Sequence, residues 1–184
     1  MNDVDRSVVE ELVGNAHGNL VRVRELLDVH PAALNLRAPW NETAIEAATQ
    51  MGDKPIIELL IGRGAPVDFF TACVLGRRDE VKAGLEADPS RANARGVHDL
   101  PALYFAAIGG DVEIAKRLLE GGADVNAKAE SAAPIHGAVM GDSAAMVRLL
   151  LEHGADPSLP DYKERGAWQL AEDLGRPALA ALFA

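Results

Sequence analysis

A column of small residues recurs at near-regular intervals along the 184 residues of this chain. Its members are Gly14, Ala48, Ala72, Ala106, Ala138 and Ala171. Four residues after each member stands a glycine, except in the fifth copy, which has Asp142. A chain made of six copies of one short segment folds into a stack, because a single copy cannot bury its apolar face alone. The pattern therefore predicts an extended array of repeats.

Each copy contains two short helical patterns. The first ends at the glycine, which accepts the left-handed conformation that reverses the chain. The second carries apolar residues with the spacing i, i+3, i+6 and i+7, which places them on one face of a helix. In the first copy these residues are Leu20, Val23, Leu26 and Leu27, and in the fourth they are Val112, Ala115, Leu118 and Leu119. Isolated helices below roughly 12–15 residues are marginal in water, so each pair depends on its neighbours.

Turn residues separate the copies. Gly-Ala turns begin at Gly64, Gly122 and Gly154, and polar stretches follow them, which predicts short projecting hairpin loops. The distance from Ala48 to Ala72 is shorter than the other intervals, so we expect no full hairpin before the third copy.

Several motifs together resemble the ankyrin repeat. The fourth copy carries Ala106-Ala107, Gly110, Leu118-Leu119 and Gly122-Ala123-Asp124, and the fifth carries Pro134-Ile135-His136. The resemblance implies an all-α solenoid of stacked helix-turn-helix units with short hairpin loops. It also implies that His136 forms a hydrogen bond that ties its loop to the next unit. Trp168 occupies the Leu position of the sixth unit, so we expect it in the core.

The resemblance covers nearly the whole chain and implies a single ankyrin-repeat domain over residues 1–184. Six units are predicted, at about 1–36, 37–68, 69–95, 96–127, 128–160 and 161–184. The first and last units are degenerate, as expected for units that cap a stack.

Charge and cysteine content narrow the function classes. The formal net charge of −10 repels phosphate backbones, so we expect no nucleic-acid partner, and it attracts basic protein surfaces. Cys73 is the single cysteine, which favours a reducing compartment and a buried, inert thiol. The acidic N-terminus differs from a secretory signal, and no stretch approaches roughly 20 apolar residues. We therefore predict a cytoplasmic protein that does not bind membranes.

No motif of catalysis is present. The sequence has no Gly-rich phosphate loop and no Gly-x-Ser-x-Gly elbow. Five histidines are present, and none pairs with another at metal-ligand spacing: His17, His30, His98, His136 and His153. We predict no enzyme activity, no cofactor and no metal. A shallow enzyme site around His17 or His98 is a disfavoured alternative.

The ankyrin resemblance implies that a partner meets the concave side, which is made of loop tips and the exposed faces of the first helices. Carried over by position, the candidate partner-binding residues are Trp40, Met51, Val74, Leu75, His98, Ile108, Met140 and Tyr162. An exposed apolar row at these positions would indicate a contact site. In the alternative interpretation, these side chains fold back onto neighbouring units.

The predicted function is a non-catalytic protein-binding scaffold, whose partner is another protein. The alternative is a regulatory or inhibitory subunit that docks on a specific enzyme through its acidic surface. We expect a monomer, with self-association through the apolar row as a further alternative.

Overall fold

The computed structural model describes residues 4–184, and within them the chain forms twelve α-helices and no β-strand. The first three residues of the acidic N-terminus lie outside this range. The helices are α1 (Arg6–Asn15), α2 (Leu20–Val29), α3 (Ala44–Met51), α4 (Lys54–Gly62), α5 (Phe69–Leu75), α6 (Arg78–Ala87), α7 (Ala102–Gly109), α8 (Val112–Glu120), α9 (Pro134–Met140), α10 (Ala144–Glu152), α11 (Ala167–Asp173) and α12 (Pro177–Ala180). The predicted all-α fold with paired short helices is confirmed.

The helices group into two compact bodies, one extending through Thr71 and the other comprising Ala72–Ala184. In the first body α1 packs on α3, and α2 packs on α4. In the second body α9 packs on both α7 and α11, and α8 packs on α10. First helices thus contact first helices and second helices contact second helices, which is the arrangement expected of stacked repeats.

The helix ends follow from local sequence. Thr43 and Glu46 form a capping box at the start of α3, in which each side chain binds the other residue's backbone N–H. Asp111 begins α8 by accepting hydrogen bonds from two backbone N–H groups. Gly52 and Gly110 end α3 and α7 with φ values of 67° and 80°, in the left-handed region that glycine adopts without strain. The predicted chain reversal at these glycines is confirmed.

Consecutive first helices in the second body lie in backbone contact. A Cβ atom built on Gly109 would lie 2.6 Å from the carbonyl oxygen of Val74. A Cβ on Gly141 would meet the carbonyl group of Ile108 in the same way. The two glycines therefore let α7 and α9 lie closer to the backbone of Val74 and Ile108 than any side chain would allow.

Successive turns of the second body are joined by asparagine bridges. Asn93 donates from Nδ2 to the carbonyl oxygen of Gly122 (2.8 Å), and its Oδ1 accepts from the N–H of Asp124 (3.1 Å). Asn126 repeats both bonds one copy later, with the carbonyl of Gly154 (3.0 Å) and the N–H of Asp156 (2.8 Å). Each amide thereby satisfies one donor and one acceptor of the next turn.

The core lies between the helices. Phe105, Leu118 and Leu150 are fully buried, and so is Cys73, as predicted. The prediction that Trp168 lies in the core is wrong, because its side chain is 45% exposed. The corresponding Ile135 is buried because α9 packs between the two first helices α7 and α11.

Short loops project between the pairs, as predicted. Their tips close with backbone hydrogen bonds such as Ala38 N to Glu42 O (2.8 Å) and Asp161 N to Arg165 O (2.9 Å). Among the described residues, no helix is long and apolar enough to cross a lipid bilayer.

Candidate functional site

The first body presents Trp40 at a loop tip and Met51 at the end of α3. The side chain of Trp40 is 46% exposed, and that of Met51 is 39% exposed. The indole Nε1 of Trp40 donates to Oε2 of Glu42 (2.8 Å), whose side chain is buried. The tip is therefore tied down through a buried carboxylate while the indole remains accessible.

A second set of bonds holds the same tip. Arg37 donates to both carboxylate oxygens of Glu46, at 2.7 and 3.0 Å, and to the backbone oxygen of Asn41 at 2.7 Å. A bidentate Arg–carboxylate pair fixes orientation as well as distance. Trp40 is thus presented on a braced loop.

A histidine from the preceding helix pair reaches the buried carboxylate. His17 Nε2 lies 3.6 Å from Oε2 of Glu42 and 2.7 Å from the side-chain amide of Gln50. Its Nδ1 lies 3.1 Å from the backbone oxygen of Val13. The nearby Glu42 carboxylate raises the pKa of His17, because it stabilises the imidazolium.

The second body brings together two of the predicted residues, Met140 and Tyr162, around one cavity of about 190 Å³. Met140 ends α9 and is half-buried, whereas Tyr162 lies on a loop tip and is 66% exposed. The remaining wall comes from Ser131, Ala132, His136, Asp161, Lys163, Arg165, Leu170 and Leu174. The site is a small, open, partly apolar depression at the loop tips.

Asp161 organises the loop that carries Tyr162. Its buried carboxylate accepts from the backbone N–H groups of Lys163 (2.8 Å) and Arg165 (3.0 Å) and from the Arg165 guanidinium (2.6 and 3.0 Å). Burial raises the pKa of Asp161, but the hydrogen bonds from Arg165 and Lys163 outweigh it and leave the pKa lowered. Arg165 also donates to Asp173 (2.7 Å), which connects the tip to α11.

His136 lies behind this cavity in a structural role. Its Nδ1 accepts from the N–H of Ala133 (3.0 Å), and its Nε2 lies 3.3 Å from the carbonyl oxygen of Arg165. The predicted bond from His136 to the next unit is confirmed. Burial lowers the pKa of His136, since the charged form would lose its hydration, and contact with the Arg165 carbonyl offsets only part of this.

His98 lies at a different loop tip of the second body. It is exposed, and it lines a depression of about 580 Å³ with Asp99, Glu130 and Ser131. His98 and Asp99 adopt φ values of 54° and 60°, which non-glycine residues rarely do. Ser131 lines both this depression and the cavity beside Tyr162, so it connects the surroundings of His98 with those of Tyr162.

For two of the predicted contact residues, the expected exposure is wrong. Val74 is 0% exposed and Ile108 is 5% exposed, so neither side chain forms part of an accessible row. The close approach at Gly109 and Gly141 encloses them, because each glycine lets the following helix lie directly on the backbone of Val74 or Ile108. The alternative interpretation, in which these side chains fold back onto neighbours, holds at both positions. Leu75 is half-buried and stays a prediction.

Sequence reasoning missed Ser131 and Asp161 as parts of these sites. The spacing of Asp161 and Arg165, four residues apart across a predicted loop, was an available signal for a loop-closing pair. No sequence pattern marks Ser131 or the burial of Glu42. Within residues 4–184, no group of three or more His, Cys, Asp or Glu side chains could hold a metal ion.

The two histidines predict opposite responses to acid. Because the folded state raises the pKa of His17, its stabilisation is complete below its unfolded pKa of about 6.5 and is lost as pH rises through the folded value. His136 has a lowered pKa when folded, so the second body loses stability as pH falls below about 6.5. We expect hydrogen exchange, corrected for intrinsic rates, to show the first body gaining and the second losing protection between about pH 8 and about pH 5.5. A response of the same sign in both bodies would contradict this, and His17→Gln should remove the gain.

Comparison with known proteins adds family information. A family described as "Ankyrin repeats (3 copies)" matches residues 69–161. Human BCL-6 corepressor-like protein 1 is 39% identical over 138 residues, which cover 73% of this chain and 8% of that protein. The E3 ubiquitin-protein ligase KEG of Arabidopsis thaliana is 28% identical over 150 residues, which cover 76% of this chain and 9% of that protein. Human 2-5A-dependent ribonuclease is 44% identical over 73 residues, which cover 39% of this chain and 10% of that protein. The chain thus spans a tenth or less of the length of these relatives.

Proposed function

Because the chain belongs to the ankyrin repeat family, we propose that it is a non-catalytic scaffold that displays loop tips and first-helix ends to a protein partner. Ankyrin repeats generally mediate protein–protein interaction. In the second body the contact surface is centred on Tyr162 and Met140, with His98 at its edge. In the first body it is centred on Trp40 and Met51. The activities of the ligase and the ribonuclease are not carried over to this chain, because the similarity covers a tenth or less of each of these proteins.

The observation that carries this proposal is the exposed Tyr162 on a braced loop beside an open cavity. Tyrosine and tryptophan are enriched among interface hot spots, because they bury much area with few rotatable bonds. The contacts of Asp161 with Arg165 and the backbone fix the loop before a partner arrives. Binding then loses little conformational entropy, which favours affinity.

The polar groups around this surface support a binding role over a catalytic one. His136 is engaged at both ring nitrogens, and Asp161 is engaged by Arg165 and by two backbone N–H groups. A general acid or base must have a nitrogen or oxygen directed at the reacting group. These groups are directed at their own loops.

The test begins with a partner identified by affinity purification and mass spectrometry from the source cell. We expect the double substitution Tyr162→Ala with Met140→Ala to weaken the purified complex by about 30-fold, the effect of losing roughly 2 kcal/mol at a hot spot. Trp168→Ala is the matched control, since Trp168 is an exposed aromatic of the same body that lines a different depression. Unchanged affinity in the double variant, measured by calorimetry, would rule out this surface.

A second candidate function follows from the net charge of −10. A regulatory or inhibitory subunit would dock its acidic surface on a basic cleft of one enzyme, and its association would slow steeply as salt rises. The apolar surface around Met140 and Tyr162 predicts a weak salt dependence instead. The same calorimetric titration at low and high salt separates the two.

We further propose that the protein is a cytoplasmic monomer. The single cysteine Cys73 is buried and forms no internal disulfide, which suits a reducing compartment. The net charge opposes association between copies.

A further inference from the structure

We propose that the cavity beside Met140 and Tyr162 is an anchor pocket for one tyrosine side chain of the partner. The inference rests on the proposed protein-binding function and adds the chemistry of the residue that enters.

The unsatisfied group is the hydroxyl of Ser131. Its Oγ is buried and has no hydrogen-bond partner among residues 4–184, the one such side-chain atom found there. Buried polar atoms are nearly always paired, because leaving one unpaired costs roughly 1–3 kcal/mol. Ser131 as a residue is only half-buried, so rotation about its Cα–Cβ bond moves the hydroxyl between staggered positions. An occupant of the cavity would give this hydroxyl the partner that it lacks.

The size of the cavity selects one ring. Its volume is about 190 Å³. A cavity of roughly 150 Å³ holds a benzene molecule in another protein, so a single substituted ring suits this volume. The side chains of Met140, Leu170 and Leu174 supply apolar wall, and thioethers make favourable contacts with ring edges.

The charges around the cavity select a neutral occupant. The carboxylate of Asp161 is bonded to Arg165, and Arg165 is bonded to Asp173 as well. Lys163 lies over the ring of Tyr162, with its Nζ 5.4 Å from the ring centroid. An entering charge of either sign would meet a like charge as well as an opposite one, because Asp161 and Asp173 balance Arg165 and Lys163. A charged side chain therefore gains little that offsets its lost hydration.

A phenol meets these conditions together. Its single ring fits the volume, it is neutral at pH 7, and its hydroxyl both donates and accepts, which suits a serine hydroxyl in either orientation. A phenylalanine would leave Ser131 Oγ unsatisfied. The two-ring indole of tryptophan is larger than the single ring that this volume suits.

The test uses p-cresol, the tyrosine side-chain analogue, and toluene, which lacks its hydroxyl. In NMR titrations of the intact chain, we expect p-cresol to shift the Met140 methyl signal saturably, with a Kd of about 1–10 mM for so small a ligand. Ser131→Ala should weaken p-cresol binding about fivefold and leave toluene binding unchanged. Ser131→Thr keeps the hydroxyl and should restore the preference for p-cresol.

The outcome is decisive in both directions. No saturable shift at Met140, or equal p-cresol affinity in wild type and Ser131→Ala, would overturn the anchor pocket. Ser131→Ala removes an unpaired buried hydroxyl, so it should fold at least as stably as wild type. The partner titration with the Tyr162 and Met140 variants is a separate measurement. Unchanged partner affinity in those variants would refute the proposed scaffold surface. A negative p-cresol titration alone would refute only the anchor pocket.

Discussion

Gly109→Ala is expected to lower the free energy of unfolding of the second body by roughly 3 kcal/mol, the upper end of the usual cost of overpacking. The added Cβ would lie 2.6 Å from the carbonyl oxygen and 2.7 Å from the Cα of Val74. Both are backbone atoms, so no side-chain rotation can relieve the overlap. Either α7 moves away from α5 or the substituted residue distorts the end of α7.

The matched control is Gly14→Ala in the small-residue column of the first copy. Beyond its chain neighbours and the backbone of its own helix, no heavy atom of the described residues lies within 4 Å of a Cβ built on Gly14, and its φ is not positive. Because Gly14 lies within α1, alanine there should add about 0.5–1 kcal/mol of stability. Urea denaturation followed by circular dichroism gives both values, and hydrogen exchange assigns them to a body. Equal midpoints for the two variants would refute the close-approach argument.

Asp161→Ala is expected to cost roughly 2–4 kcal/mol, because it removes four hydrogen bonds from a buried carboxylate. Two backbone N–H groups lose their acceptor, while Arg165 keeps only its bond to Asp173 among these carboxylates. The loop that presents Tyr162 should then become mobile. Partner affinity should fall with it even where the rest of the body stays folded.

Asp161→Asn separates the loop geometry from the charge. The amide oxygen can still accept from the backbone N–H groups of Lys163 and Arg165, but it carries no charge for the guanidinium. We expect about half of the alanine effect in urea denaturation and a Tyr162 NMR signal close to that of wild type. An asparagine variant as unstable as the alanine variant would assign the whole effect to the ion pair.

Much of the fold could be predicted because it follows from periodic features. The column from Ala48 to Ala171 is buried where first helices pack, whereas its first member, Gly14, is exposed. Glycines such as Gly52 and Gly110 mark where first helices end. These features act locally or between neighbouring copies. For this reason the six pairs, the short loops and the role of His136 could be inferred from spacing and family resemblance.

The site could be predicted only in part, because exposure depends on contacts that spacing does not reveal. Val74 and Ile108 share their place in the repeat with Met140, yet Gly109 and Gly141 enclose the first two. Trp168 shares its place with the buried Ile135, which lies on a helix packed between two others, and spacing alone does not reveal that difference. The orphan hydroxyl of Ser131 depends on where two loops meet, which no pattern in the sequence encodes.

The paired bonds of Asn93 and Asn126 limit how such a chain can change in length. Each amide bonds a carbonyl and, two residues further on, an N–H of the following turn, and the two copies differ by only one residue in the distance from asparagine to turn. Adding or deleting a few residues inside one copy would shift that turn away from the amide and leave both groups unmatched. Gain or loss of a complete copy keeps every bridge intact. Evolution or engineering can therefore lengthen this array in whole repeats with little penalty, whereas an insertion of several residues between an asparagine and its turn breaks a bridge.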